Sequence, residues 1–164
     1  MAEPGPRPDV DDLDGLDDLA RRSADAMLGD DLASAGLGMT LLDVGPGRAR
    51  LRMPVRDDMV NGHAIVHGGL VFTLADSAFA VACNSHGVVT VAAGADITFT
   101  APGRLGDVLL AEARETDVFG RSGVTDVRVT RESDGALIAV FRGRSRSLGR
   151  PIPGVAQGVQ QEGS

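Results

Sequence analysis

A carboxylate sits in the middle of the most apolar stretch of the chain. The segment His67-Gly-Gly-Leu-Val-Phe-Thr-Leu-Ala-Asp-Ser-Ala-Phe-Ala-Val-Ala-Cys-Asn84 contains one acid, Asp76. Burying an ionised carboxylate is costly, so such a group is paired or its pKa rises. Proteins tolerate it mainly where the group has a task. The other reading is a structural Asp satisfied by backbone donors or by an arginine across an interface. Thr73, Asp76, Ser77 and Asn84 fall near one stripe of the helix, with Ala80 between them. At the start of the segment, Gly68 and Gly69 follow His67. A glycine pair in a first helical turn leaves the amide groups unobstructed, and those N–H groups with the helix dipole attract negative charge. A developing thioester or ester oxyanion suits them; the bland reading is a tight turn into a helix.

Spacing relates the two leads. Eight positions separate Gly68 from Asp76, which is about 12 Å along one helix. A base or nucleophile must come within about 3 Å of its target or act through one water. One helix therefore cannot bring both groups to the same carbonyl. If both act together, they come from two antiparallel helices across a two-fold axis, in an isologous dimer with two interfacial sites.

Other chemistries fit less well. His63 and His67 are four apart, but a loop and a helix start lie between them, and no zincin Glu follows. No metal site is expected. Cys83 lies in an apolar run, where a thiol is hard to ionise. There is no Gly-x-Ser-x-Gly elbow, P-loop or dinucleotide fingerprint.

The elements that hold these residues follow from pattern. The 67–84 segment has helix length and is apolar almost all round, so it is a buried helix. Arg48 to Pro54 alternates arginines with small or apolar residues, and Gly45-Pro46-Gly47 precedes it, so Met39–Val44 and Arg48–Pro54 form a hairpin. Residues 56–66 form a polar loop. After Gly87, strands are expected over Val88–Thr100, Asp107–Asp117, Ser122–Arg131 and Ala136–Ser147, separated by Gly-containing turns. A helix is expected from Ser23, as its cap, to about Ala35, closed by Gly36 and Gly38. The result is an α+β chain in which an antiparallel sheet wraps one central helix. Its long free edge suggests pairing with another subunit.

With 164 residues there is room for one core, organised as an acidic disordered tail (1–21), a domain (22–148) and a flexible C-terminal tail (149–164). The net charge of −7 excludes extended contact with nucleic acid, which needs a basic surface. One cysteine allows no internal disulfide, the acidic N-terminus is no signal peptide, and the longest apolar run, 70–83, contains a carboxylate. The expectation is a soluble cytoplasmic protein that does not engage a membrane.

His67-Gly68-Gly69 through Leu74-Ala75-Asp76-Ser77-Ala78-Phe79-Ala80 to Asn84, with Asn61-Gly62-His63 before and Val140-Phe141-Arg142-Gly143 after, closely resembles the PaaI-type thioesterases of the hotdog superfamily. The resemblance covers roughly 22–148. It implies a hotdog fold, double-hotdog dimers paired into a tetramer, and hydrolysis of acyl-CoA thioesters, typically of ring-hydroxylated phenylacetyl-CoA. No cofactor is implied, since coenzyme A is part of the substrate. By similarity Asp76 is nucleophile or base for water, Gly68 N–H polarises the carbonyl, His67 fixes the turn, and Asn61 places an amide near the reacting group. Related 4-hydroxybenzoyl-CoA enzymes carry a hydroxyl one turn past the acid. This chain has Ala80 there, with Ser77 as the substitute; Thr73 and Gly69 complete the substrate-side stripe. Asp30 falls where PaaI-type enzymes place an Asn on the N-terminal helix. For the CoA phosphates, Arg142, Arg144 and Arg146 are candidates, with Arg104 and Arg121 as further ones. Two other readings are a non-catalytic acyl-CoA-binding or regulatory hotdog module, and a dehydratase. The dehydratase ranks lower because its His-Phe-Pro context is missing.

Overall fold

The computed structural model describes residues 10–155. In chain order the elements are α1 (Val10–Gly29), α2 (Leu32–Gly36), β1 (Thr40–Gly45), β2 (Arg48–Pro54), a 3-10 turn (Asp57–Met59), α3 (Gly68–Asn84), β3 (Val88–Phe99), β4 (Val108–Phe119), β5 (Ser122–Arg131) and β6 (Leu137–Pro151). The strands form one six-stranded sheet in the order β1-β2-β4-β5-β6-β3, every pairing antiparallel. This is the hotdog arrangement, with α3 packed against the sheet through β2, β4, β5, β3 and β6.

Period-2 alternation builds the sheet's inner face. Leu51 and Met53 on β2, Leu109, Ala111 and Ala113 on β4, and Val127 and Val129 on β5 are buried against Leu74, Ala75, Ala78, Phe79 and Ala82 of α3. Each fully buried Leu or Phe of this set contributes about 1.5–3 kcal/mol. On β6 the inward positions are Phe141, Gly143 and Ser145. A Cβ at Gly143 would lie 2.6 Å from the Phe79 ring, so the sheet approaches the helix closely only because that residue is glycine. Phe141 meets Phe72 edge-on at 5.3 Å and Phe79 at 5.8 Å between ring centres.

Two boundaries differ from the sequence reading. Residues 10–21, expected within a disordered tail, belong to α1. Its acids crowd the N-terminal turns, where the helix dipole favours them, and Asp18 pairs with Arg22 one turn on. Leu19, Ala20, Ser23 and Ala24 form its inward stripe. Ser23 is consequently no cap; its hydroxyl donates to the Leu19 carbonyl within the helix. Helix α1 ends at Gly29, and Asp31 caps the separate short α2 by accepting from Ser34 N–H. At the other end, β6 runs to Pro151, and Ile152 and Val155 are buried, so the start of the expected loose tail is packed. The remaining tail residues, 1–9 and 156–164, lie outside the described residues. No helix among the described residues is long and apolar enough to cross a membrane.

Candidate active site

His67 is the N-cap of α3. Its Nδ1 accepts from Gly69 N–H at 3.1 Å, so the neutral ring carries its proton on Nε2. Its own N–H donates to the Met59 carbonyl, and its carbonyl accepts from Leu70 and Val71. This leaves Gly68 N–H, which donates to nothing among the described residues, as the open donor of the first turn. The free amide lies on a cavity of about 520 Å³ whose walls include Asn61, Ile65, Val71, Phe99 and Ile138. Asn61 is held by its own loop: its Oδ1 accepts from His63 N–H and its N–H donates to the Ile65 carbonyl. Its amide nitrogen stays available. The loop is tight enough to put Ala64 at φ 57, in the left-handed region.

Asp76 lies two turns further along α3. Its carboxylate is half buried, accepts no hydrogen bond among the described residues, and is held above the usual 3.8 by burial alone. It does not reach the cavity at Gly68 within one protomer. Thr73 and Ser77 flank it, but both hydroxyl protons are engaged. Thr73 donates to the Gly69 carbonyl. Ser34 donates to Asp31 at 2.6 Å, so the 3.0 Å contact between Ser34 and Ser77 has Ser77 as donor. Hydrogen bonds from Ser34 hold the Asp31 carboxyl below its ordinary value. Asp31 and Ser34 therefore tie α2 to α3 beside the acid, a link the sequence reading did not single out. Asp30, the residue it did single out, is exposed at the α1–α2 junction.

Asn84, on the polar stripe by sequence, is structural. It is buried, donates to the carbonyls of Ala80 and Thr90, and accepts from Thr90 N–H. Cys83 is buried beside it, and burial pushes its thiol up to about 12. On the outer sheet face, Arg142 grips Asp126 with two hydrogen bonds of 2.6 Å and Arg144 pairs with Asp96. Arg146 reaches Ser122. Arg104, bridged by its backbone to Ile65 at the cavity edge, has no side-chain partner among the described residues. Arg121 donates to the Ser147 carbonyl on a second cleft, of about 310 Å³, at the C-terminal end of α3.

A sequence profile of the thioesterase superfamily matches residues 63–138, the stretch that holds the Gly68 turn, α3 and the cavity strands. The acyl-coenzyme A thioesterase PaaI of Escherichia coli is 39% identical over 137 residues, 84% of this chain and 97% of that one. The chain belongs to the thioesterase superfamily. The human acyl-coenzyme A thioesterase 13 is 31% identical over 63% of this chain and 76% of its own length. Among solved structures, the E. coli PaaI protein, from the phenylacetic acid degradation operon, superposes with a TM-score of 0.81 at 38% identity, covering 83% of this chain and 98% of that one. A Streptococcus mutans protein solved with acetyl CoA bound gives 0.66 at 26% identity, over 69% and 90%. In this thioesterase-superfamily chain, then, Gly68 and Asn61 share one cavity, while Asp76 stands apart on the same helix.

Proposed function

We propose that the protein hydrolyses acyl-CoA thioesters, of (hydroxy)phenylacetyl-CoA or of similar aryl or medium-chain acyl-CoA, to the free acid and coenzyme A. The observation that carries this reading is the pair of unspent groups on α3, a free amide on an apolar cavity and a partnerless carboxylate. Gly68 N–H polarises the thioester carbonyl, with His67 holding the turn and Asn61 presenting its amide nitrogen. Asp76 supplies the negative charge, as nucleophile on the carbonyl carbon or as base for the attacking water. Water adds across the acyl–sulfur bond, its hydroxyl going to the acyl carbon and its proton to the leaving thiolate.

The separation of about 12 Å along α3 means that Asp76 comes from a second copy. The protein works as a homodimer, itself paired as a dimer of dimers. The free edge of β3, with Val91 exposed on it, supports such pairing. Thr73, Ser77 and Gly69 line the substrate-side stripe. For the CoA phosphates, Arg104 and Arg121, whose charges no carboxylate offsets among the described residues, are better placed than Arg142 and Arg144. The reaction needs no metal or further cofactor, and the setting is cytoplasmic. The relatives named for acyl-CoA hydrolysis and the acetyl-CoA-bound neighbour support this reading.

A thiol-release assay tests it. Wild type is expected to turn over acyl-CoA, and Asp76→Ala to lose about 100-fold or more in kcat with the fold intact. Wild-type rates in Asp76→Ala would sink the assignment. Tight acyl-CoA binding without turnover in wild type would point instead to a non-catalytic binding module.

A further inference from the structure

The chain has five phenylalanines and neither Trp nor Tyr. Phe72, Phe79 and Phe141 pack together in the core. Phe119 stands at the end of β4, away from the cavity. Phe99 alone is placed on the wall of the Gly68 cavity, with 52% of its surface exposed. It closes β3, the edge strand, opposite Ala139 of β6, a small residue that gives the ring no cross-strand neighbour of size. The tip of the ring instead points at the start of α3. A Cβ built on Gly68 would lie 3.1 Å from Phe99 Cζ and 3.5 Å from both Cε atoms.

Two consequences follow from that contact. The ring stands against the residue whose N–H is free, so whatever binds there meets an aromatic surface on one side. The other apolar side chains of the wall are aliphatic, with Ile65, Val71 and Ile138 the largest of them. A side chain at 68 would press on the ring, which would have to give by a few tenths of an ångström. A half-exposed aromatic that leaves the core cluster for a cavity wall has unspent stacking capacity, and a second aromatic ring is the group that uses it best.

We propose that Phe99 is the specificity-determining residue of the acyl cavity: its ring selects an aryl acyl group over an alkyl one, and it holds the acyl group against the Gly68 amide. This rests on the thioesterase reading for the identity of the bound group. Stacking of this kind is worth about two- to tenfold in discrimination.

The test compares phenylacetyl-CoA with hexanoyl-CoA and octanoyl-CoA in wild type, Phe99→Leu, Gly68→Ala and the double variant. Leucine keeps the wall apolar and removes both the π-face and the reach of Cζ. Phe99→Leu is expected to lower the aryl-to-alkyl ratio of kcat/KM at least threefold, the aryl substrate losing more than either alkyl one. Gly68→Ala is expected to cost about tenfold in the wild-type background and less than about threefold in the Phe99→Leu background, because the steric conflict is gone. An unchanged aryl-to-alkyl ratio, or a Gly68→Ala penalty equal in both backgrounds, would overturn the proposal. So would a Phe99→Leu protein that loses aryl and alkyl turnover equally while falling apart into smaller species on a sizing column, since the ring would then serve an interface. If wild type hydrolyses none of the three, the thioesterase reading fails separately. The ratio is then read from dissociation constants of non-hydrolysable analogues with a methylene in place of the sulfur, with the same thresholds deciding for or against Phe99.

Discussion

Asp76 is unusual because nothing among the described residues of its own protomer compensates it. Burial alone raises its pKa, and no described donor or cation lies within bonding reach. An acid whose pKa is higher folded than unfolded binds its proton more tightly in the native state. Its contribution to stability is therefore present below the ordinary value of 3.8 and is lost as pH rises through the folded value. At neutral pH the ionised carboxylate works against the fold. Asp76→Asn is therefore expected to be more stable than wild type at pH 7, with the difference shrinking toward pH 4 as wild type takes up its proton. Urea unfolding at the two pH values checks this; an Asn variant less stable at pH 7 would mean that the carboxylate has a partner that favours its charge. The same shift places the acid limb of the wild-type kcat/KM profile above the usual carboxylate range. A group kept at a stability cost, where its amide isostere does better, is one retained for chemistry.

At the scale of elements, what fixes the site is how α3 is held at its two ends. Its N-terminus is set by His67, through Met59 and Gly69. Its C-terminus is set by Asn84, which pairs with both backbone groups of Thr90 and so pins the helix to the start of β3. Asn84→Ala would leave those half-buried backbone groups without their side-chain partner, at about 1 kcal/mol or more. Its midpoint in urea is expected to fall accordingly with no change in slope, and a variant as stable as wild type would show that the clasp contributes nothing. Much of this layout was legible in the sequence, for identifiable reasons. Asp76 and the two glycines stood out because their types contradict their surroundings. The strands stood out because alternation and glycine turns mark them; the start of β2, at Arg48, and both ends of β5 coincide with the pattern. Helix α1 was misread because the repulsion among its acids was weighed without the dipole that offsets it. The cavity was not legible at all. Its walls come from three separate stretches, around residues 61–71, 99–103 and 138, and only folding makes them adjacent. For the same reason Phe99 read as one more apolar strand residue, and Asn84 read as part of a polar stripe when it is a fastener.

If Gly68 and Asp76 act on one carbonyl, the two halves of the site meet only at the scale of the whole molecule. Within one protomer, Asp76 is two turns from the free amide, on the same helix but off its cavity. An antiparallel pair of α3 helices that sets each Gly68 beside the other's Asp76 has its two-fold axis near Phe72, midway between them. Such an assembly has a signature that no single-chain site shares. Alone, Asp76→Ala chains are nearly inactive and Gly68→Ala chains keep about a tenth of wild-type activity. A dimer containing one of each has one site carrying both defects and one carrying neither. Co-expressed at equal levels with random pairing, the two variants are expected to recover about a quarter of wild-type kcat, and the isolated mixed dimer about half. Mixing purified proteins under conditions that prevent subunit exchange is expected to recover nothing. If the co-expressed mixture stays at the level of the single variants, amide and carboxylate do not belong to different chains. Asp76 would then need a route to Gly68 within one protomer, which two turns of rigid helix do not provide.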